Sequence, residues 1–300
     1  VFWLGTDKRF LYAMLLSTAV GMLVMCGILT AELIIEGQKG GRLTWPYDDL
    51  VPGNYLAKVG LPAFSVMVAL AVGAKPRLAS IMGVLSMVTI IASILTGERI
   101  NFFIRACGGM LAALVWRPSW RRYFALIIAE IIAVMVVFFN DESTHKRFVE
   151  DFLNQLPSGP HSPYYRTFAA GLEAAKESVL FGIGPATFRD LCPKIIGSSL
   201  EFKCHNHPHN FYIQLITETG LIGLAVGTLM MASIIWAAFL GWRTNRDNVV
   251  AATAFVVPFG LFFPIQSTGD FFGQWNNVFM WSAIALALAA ARNLVPSKPK

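Results

Sequence analysis

Three histidines fall within five residues, in His205-Asn206-His207-Pro208-His209-Asn210, after Cys204 and directly ahead of the apolar run Phe211-Tyr212-Ile213-Gln214-Leu215. Three readings are open for this segment. Histidine and cysteine are zinc ligands, but Pro208 and the i, i+2, i+4 spacing describe extended chain whose side chains alternate in direction. No second His, Cys or carboxylate group stands at a finger-like spacing. A solvated loop with incidental histidines is the second reading. In the third, His209 is fixed at the junction of loop and helix and acts as a general base. Imidazole, with an unperturbed pKa of about 6.5, is the usual group for taking a hydroxyl proton near neutral pH.

A base needs an electrophile, and the arginines indicate which. Arg99 stands in Thr96-Gly97-Glu98-Arg99 at the end of an apolar run. Arg105 lies about one and a half helical turns into the next apolar run, roughly 7 Å along the axis from its start. There a guanidinium is costly unless it pairs, with Glu98 or Glu130, or lines a wet cavity. Arg147, Arg166 and Arg189 follow in a long polar stretch. Taken singly, each reads as surface decoration. Several beside a candidate base read as a phosphate or pyrophosphate site, because the planar fork binds such oxygens bidentately. The matching reaction is attack of an acceptor hydroxyl on a lipid-linked pyrophosphoryl sugar, with arginines stabilising the leaving group. No nucleotide-binding glycine loop and no Asp-rich metal motif occurs, so no metal and no cofactor is expected.

The elements that must position these residues are apolar. Hydrophobic residues make up 55% of the chain and charged residues 14%, with a mean hydropathy of +0.57. Soluble domains carry about 25% charged residues, so lipid is the solvent for much of this chain. The net charge of +6 and pI near 9.2 do not signal nucleic acid, because the basic residues form no run with interleaved aromatics. Eight apolar stretches are expected to cross a membrane: 10–31, 55–74, 78–96, 100–116, 122–140, 211–241, 248–265 and 276–294. Lys8-Arg9, Lys75 with Arg77, Arg117 with Arg121-Arg122, Arg243 with Arg246, and Arg292 with Lys298 then share one side, the cytoplasmic one. Lys39, Arg42, Lys58 and Arg99 fall on the other.

The expected fold is all-α: a polytopic transmembrane helical bundle with a partly helical periplasmic loop. Residues 1–140 hold five spans, 141–210 the loop, and 211–300 three spans and a cytoplasmic end. Within the loop, Tyr164 to Leu180 reads as an amphipathic helix with Phe168, Leu172, Ala175 and Val179 as its apolar stripe. Gly182-Ile183-Gly184-Pro185 stops it. Of the four cysteines, Cys26 and Cys107 fall in apolar runs, while Cys192 and Cys204 share the loop and are disulfide candidates if it lies outside the cytoplasm. Because the chain opens on Val1 and residues 1–9 read as a connection, earlier spans are expected to be missing.

His207-Pro208-His209-Asn210-Phe211-Tyr212-Ile213-Gln214, followed by Glu218-Thr219-Gly220-Leu221-Ile222-Gly223, resembles the signature of the O-antigen ligase and polymerase superfamily. Leu95-Thr96-Gly97-Glu98-Arg99 resembles its Thr-Gly-Ser-Arg segment, with Glu98 in place of serine. Arg166 with Phe181-Gly182-Ile183-Gly184-Pro185 resembles its loop before the histidine motif. Phe263-Pro264-Ile265-Gln266-Ser267-Thr268-Gly269 through Trp275-Asn276-Asn277 looks like the ligase branch. So does Trp45-Pro46-Tyr47-Asp48-Asp49 with Pro52-Gly53-Asn54-Tyr55. The resemblance implies a multi-pass glycosyltransferase of the bacterial inner membrane with its active site facing the periplasm. Its donor is an undecaprenyl-pyrophosphate-linked glycan and its acceptor the lipid A core, in membrane lipid.

Carried over by motif, Arg99 and Arg166 contact pyrophosphate and His209 activates the acceptor; Arg147 and Arg189 are weaker carry-overs. His205, His207 and Arg105 support, Glu218 is structural, and Asn210 caps the helix. An O-antigen polymerase and a protein O-oligosaccharyltransferase are the alternatives within the superfamily. A transporter without chemistry is the alternative outside it, and it would string ionisable groups and broken helices through the spans.

Overall fold

A computed structural model of the chain describes residues 7–48, 51–156, 159–197, 201–264 and 268–293. Asp49, Ile265, Gln266, Ser267 and Lys298, which carry sequence expectations, lie outside the described residues, as do the side chains of Trp275 and Asn276. No strand occurs among the described residues. The helices in order are α1 (Lys8–Ile35), α2 (Val51–Asn54) running into a π-turn (Tyr55–Val59), α3 (Leu61–Gly73), α4 (Pro76–Leu95), α5 (Arg99–Val115) and α6 (Trp120–Asn140). Then come α7 (Glu142–His145), a π-turn (Lys146–Glu150), α8 (Asp151–Gln155), α9 (Pro163–Ala174) with a 3₁₀ turn (Ala175–Ser178), and α10 (Phe188–Ile196). α11 (Phe211–Thr244), α12 (Val249–Thr253), α13 (Val256–Leu261) and α14 (Gln274–Asn293) complete the chain. They form two units: unit 1 holds 1–148, 234–261 and 279–300, and unit 2 holds 149–233 and 262–278.

Four single helices are long and apolar enough to cross a membrane: α1, α4, α6 and α11. A fifth candidate is the pair Val51–Val59 and Leu61–Gly73, bent by 59°. The three other expected spans coincide with helices that do not meet that standard. α5 has 17 residues, fewer than the roughly 20 a crossing needs. The stretch at 248–265 is interrupted, because Pro258 has no N–H to offer the Ala254 carbonyl, and the chain re-forms as α12 and α13. α14 is apolar over a shorter stretch, Asn277–Arg292.

In unit 1, α3 is buried on nearly every side, as a run without charges permits. α5 reaches it through small residues: a Cβ at Gly109 would lie 3.1 Å from the Phe64 ring, and one at Gly108 3.5 Å from Leu61. α6 buries none of its residues, so Phe124, Ile128, Ile131, Ile132 and Met135 present apolar surface outward. In water such a face would be a liability; in a bilayer it is the cheap one.

The connections of unit 1 gather in two groups. The Arg122 guanidinium donates to the Ala74 carbonyl, Trp116 Nε1 to Asp247 O at 3.1 Å, Trp242 Nε1 to Val115 O at 3.0 Å, and Asn248 Nδ2 to Tyr12 Oη at 3.2 Å. These tie together the connections expected to carry the basic clusters. At the other helix ends, Leu43 N donates to Leu95 O at 2.9 Å, Ser143 Oγ to Gln38 Oε1 at 2.9 Å, and Arg147 Nε to Gly97 O at 2.7 Å.

In unit 2, Ala170, Ala174, Phe188 and Cys192 form a buried cluster packed by Ile183, Ile195, Ile196, Phe202 and Cys204. The expected helix over 164–180 ends earlier, at Ala174, and tightens into the 3₁₀ turn. Its buried face is also displaced: Thr167, Ala170, Gly171 and Ala174 face inward, while Leu172 and Val179 are about half exposed. Close approach explains the choice. A Cβ at Gly171 would sit 2.7 Å from Ile213 Cγ2 and 3.2 Å from Pro208 Cβ, so the small residues mark the contact with α11 and the large ones point away.

Candidate active site

The histidine segment is fixed at the start of α11. Asn210 accepts from Tyr212 N at 3.0 Å and Ile213 N at 3.2 Å, capping the helix, and its Nδ2 donates to Pro264 O at 2.8 Å. The residue before the cap, His209, has φ of 57°, a left-handed conformation that costs a side chain about 1 kcal/mol or more. It is held there by Thr268 N, which donates to the His209 carbonyl at 2.8 Å. His207 Nε2 lies 3.1 Å from the Thr268 carbonyl. A carbonyl only accepts, so this bond places the His207 proton on Nε2.

Rings crowd around His209. Its centroid is 4.3 Å from that of His207, 5.1 Å from His205 and 6.5 Å, edge-on, from Tyr164. Burial, then the neighbouring His207 and His205, depress the His209 pKa to about 4, so the imidazole is neutral at neutral pH. That is the state a general base requires. His205 is lowered as well, by burial first and then by Lys203 and His207. Among the described residues no three His, Cys, Asp or Glu side chains come together as a metal ion would need.

α9 supplies the second element of the site. It starts on Ser162, whose Oγ accepts from Tyr165 N at 3.4 Å, with Pro163 at its first position, where a missing N–H is harmless. One turn on, Arg166 is half-buried. Its backbone carbonyl accepts from Lys203 N at 3.2 Å, tying the helix to the histidine segment, and its buried Nε has no partner among the described residues. The Thr217 hydroxyl donates to the Gly171 carbonyl at 2.8 Å, completing the α9–α11 contact. Cys192, buried on α10, is disulfide-bonded to Cys204, with Cα atoms 5.8 Å apart, and thereby holds α10 against the same segment.

Behind the histidines runs a buried polar relay. Glu218 accepts from Phe188 N and Ala186 N, both at 3.0 Å, and so satisfies the start of α10. Gln214 donates to Glu218 at 3.1 Å and to Asp270 Oδ1 at 2.6 Å, and accepts from Phe271 N at 2.8 Å. Glu218 is therefore a positioning residue that links α10, α11 and the 268–273 connection. Sequence reasoning did not single out Tyr164, Lys203, Gln214, Thr268 or Asp270. The Gln214–Glu218 pair, four apart in an apolar helix, was a readable signal; the others become neighbours only through folding.

The other sequence candidates are placed elsewhere. Arg189 is mostly exposed, with Asp190 at 4.0 Å. Arg99, Arg105 and Arg147 belong to unit 1. Arg105 is completely buried: its guanidinium donates to the Leu56 carbonyl, lies 4.0 Å from the Phe64 ring centroid and is 3.5 Å from Met22 Sδ. Its direct partners are a carbonyl, a ring and a sulfur, with Glu130 a more distant electrostatic neighbour, and it locks α1, α3 and α5 together.

The comparison with known proteins bears on the same region. A family model described as O-antigen ligase matches residues 84–228. No curated protein is similar enough to count as a match. The matched stretch contains Glu98, Arg99, Arg147, Arg166, all three loop histidines and Glu218, but not the segments at 45–55 and 263–277 on which the ligase-branch resemblance rests. Over residues 84–228 the chain is similar to the O-antigen ligase family.

Proposed function

We propose that the protein is a glycosyltransferase that moves a glycan from a lipid diphosphate carrier to a hydroxyl acceptor. The observation that carries this reading is the neutral, half-buried His209 imidazole at the capped start of α11. The acceptor oxygen bonds to the anomeric carbon of the donor sugar as the bond from that carbon to the diphosphate oxygen breaks. His209 takes the hydroxyl proton, and the diphosphate departs with the bonding electrons. Arg166 answers the charge growing on the leaving oxygens, its fork suited to a diphosphate. No metal enters the step.

The similarity of residues 84–228 to the O-antigen ligase family favours undecaprenyl diphosphate as carrier and the lipid A core as acceptor. Polymerisation onto a second lipid-linked glycan, or transfer to protein, uses the same chemistry. The Cys192–Cys204 disulfide supports a unit 2 that faces an oxidising compartment, the periplasmic side of the inner membrane. Helix breaks at Gly60 and Gly220 are what a transporter would need. At Gly220 the chain's own backbone bridges the break, with the Thr217 and Glu218 carbonyls accepting from Ile183 N and Gly184 N.

The purified protein, supplied with undecaprenyl-diphosphate glycan and both acceptors, tests the reading. His209→Ala should lower the transfer rate about 10²- to 10⁴-fold, the usual worth of a general base, without changing the unfolding midpoint. Full activity in a folded His209→Ala protein sinks the assignment. The acceptor that becomes glycosylated separates ligase from polymerase.

A further inference from the structure

Unit 2 carries two aromatic rings that neither its core nor the proposed chemistry uses. Tyr164 and Phe168 stand four residues apart near the start of α9, so both lie on one face of that helix. Their centroids are 6.0 Å apart. Tyr164 in turn lies 6.5 Å from the His209 ring, at an interplanar angle of 84°. One turn further on, Gly171 brings the same side of α9 down on Pro208 and Ile213. The face is therefore packed beside Pro208, yet beside His209 both aromatic residues are only half-buried. The buried cluster around Phe188 and Cys192 is packed by Ile183, Ile195, Ile196, Phe202 and Cys204, not by Phe168.

A half-buried tyrosine normally finds a partner for its hydroxyl. The Tyr164 hydroxyl makes no hydrogen bond among the described residues. A base works on a proton within hydrogen-bond reach, about 3 Å. The group that carries the acceptor hydroxyl therefore rests against whatever flanks the His209 ring. On one side that is His207, engaged with the Thr268 carbonyl; on the α9 side it is Tyr164. A pyranose has hydroxyls around its edge and C–H groups on its faces. Those hydrogens are slightly positive and meet the negative face of an aromatic ring, while a tyrosine hydroxyl serves the edge. Phe168, which offers no hydrogen bond, suits the C–H face.

We infer that Tyr164 and Phe168 form a platform for a sugar ring of the acceptor, with Tyr164 against the ring that presents its hydroxyl to His209 and Phe168 widening the surface. The ligand class rests on the proposed function; recognition of the acceptor by aromatic rings of α9 goes beyond it. A lipid chain would also cover such rings, but it leaves the Tyr164 hydroxyl without a partner.

Two measurements on the full chain in nanodiscs test the platform. In steady-state transfer with saturating donor, Tyr164→Ala should raise the acceptor KM about tenfold, as loss of an aromatic contact does, and leave the donor KM unchanged. Tyr164→Phe should keep the acceptor KM within about threefold of wild type, the loss being one hydrogen bond. Tyr164→Leu, which keeps apolar bulk without the ring, should behave as Tyr164→Ala does. In the second measurement, without donor, delipidated lipid A core oligosaccharide and the saccharide released from the undecaprenyl-diphosphate glycan are each titrated by saturation-transfer NMR. One of them should bind wild type and Tyr164→Phe, and should bind Tyr164→Ala more weakly. Wild type that binds neither saccharide, Tyr164→Ala or Tyr164→Leu with a wild-type acceptor KM, or a loss that falls on the donor KM overturns the inference. His209→Ala should keep saccharide binding while losing transfer. Failure of the platform thus leaves the transferase reading intact, and an active His209→Ala sinks that reading alone.

Discussion

His209 combines two costs, a left-handed backbone and a half-buried imidazole, and both are met by neighbours rather than by the residue itself. The Asn210 cap and the Thr268 amide hold the backbone, while His205 and His207 keep the ring from charging. A pH expectation follows with a definite sign. A general base fails when protonated, so activity is lost as pH falls through its pKa. In the free enzyme that pKa is about 4. The acid limb of kcat/KM should therefore lie near pH 4 rather than near the ordinary value of about 6.5. A bound diphosphate favours the imidazolium, so the acid limb of kcat should lie at higher pH. A pH–rate series with saturating and limiting donor measures both. A kcat/KM limb near 6.5 would mean that the ring is solvated, against the structure.

Among the elements, α11 is unusual for what happens at Gly220, where φ is +67° and the helix breaks. An unbroken helix would join Leu221 N to the Thr217 carbonyl and Ile222 N to the Glu218 carbonyl. Instead, Leu221 N donates to Val179 O at 2.9 Å and Ile222 N to Leu180 O at 3.3 Å, while Thr217 O accepts from Ile183 N and Glu218 O from Gly184 N, each at 3.0 Å. The stretch from Val179 to Gly184 fills these four positions. In or near a bilayer this matters, since an unpaired backbone group there costs several kcal/mol. A Cβ on Gly220 would overlap the Leu180 carbonyl. Gly220→Ala therefore combines backbone strain of about 1–3 kcal/mol with overpacking of similar size. We expect a clearly lower unfolding midpoint in detergent and faster proteolysis at 179–187. An unchanged midpoint would show that the break tolerates a side chain.

At the scale of the molecule, the alternation of unit 1 helices is the property to test. Connections expected on one face are bonded to one another, as Arg122 is to Ala74 and Trp116 to Asp247, and those expected on the other face likewise, as Ser143 is to Gln38. Single cysteines at the exposed positions Lys39 and Lys75, in a background without Cys26 and Cys107, read the sidedness directly. A membrane-impermeant maleimide should label Lys39→Cys in intact spheroplasts and Lys75→Cys only after permeabilisation. Equal labelling of both would overturn the proposed orientation.

Composition and spacing determined that the chain is helical, that several of its helices are long and apolar enough to cross a membrane, and that the histidine segment ends where a helix begins. These are local matters: apolar run length, the position of Asn210, the placement of Pro208. Of the apolar stripe expected over 164–180, Ala175 is buried but Leu172 and Val179 are not, because hydrophobicity marks what can be buried, whereas Gly171 shows where two helices actually touch. The arginines were indistinguishable by type. Folding alone decided that Arg105 spends its charge on a carbonyl and a ring, that Arg189 stays in the open, that Arg166 joins the histidines in one unit, and that Arg99 and Arg147 gather around Glu98 in the other. A guanidinium's role depends on which distant groups share its few ångström and on how much water remains there, and neither quantity is written in the order of residues.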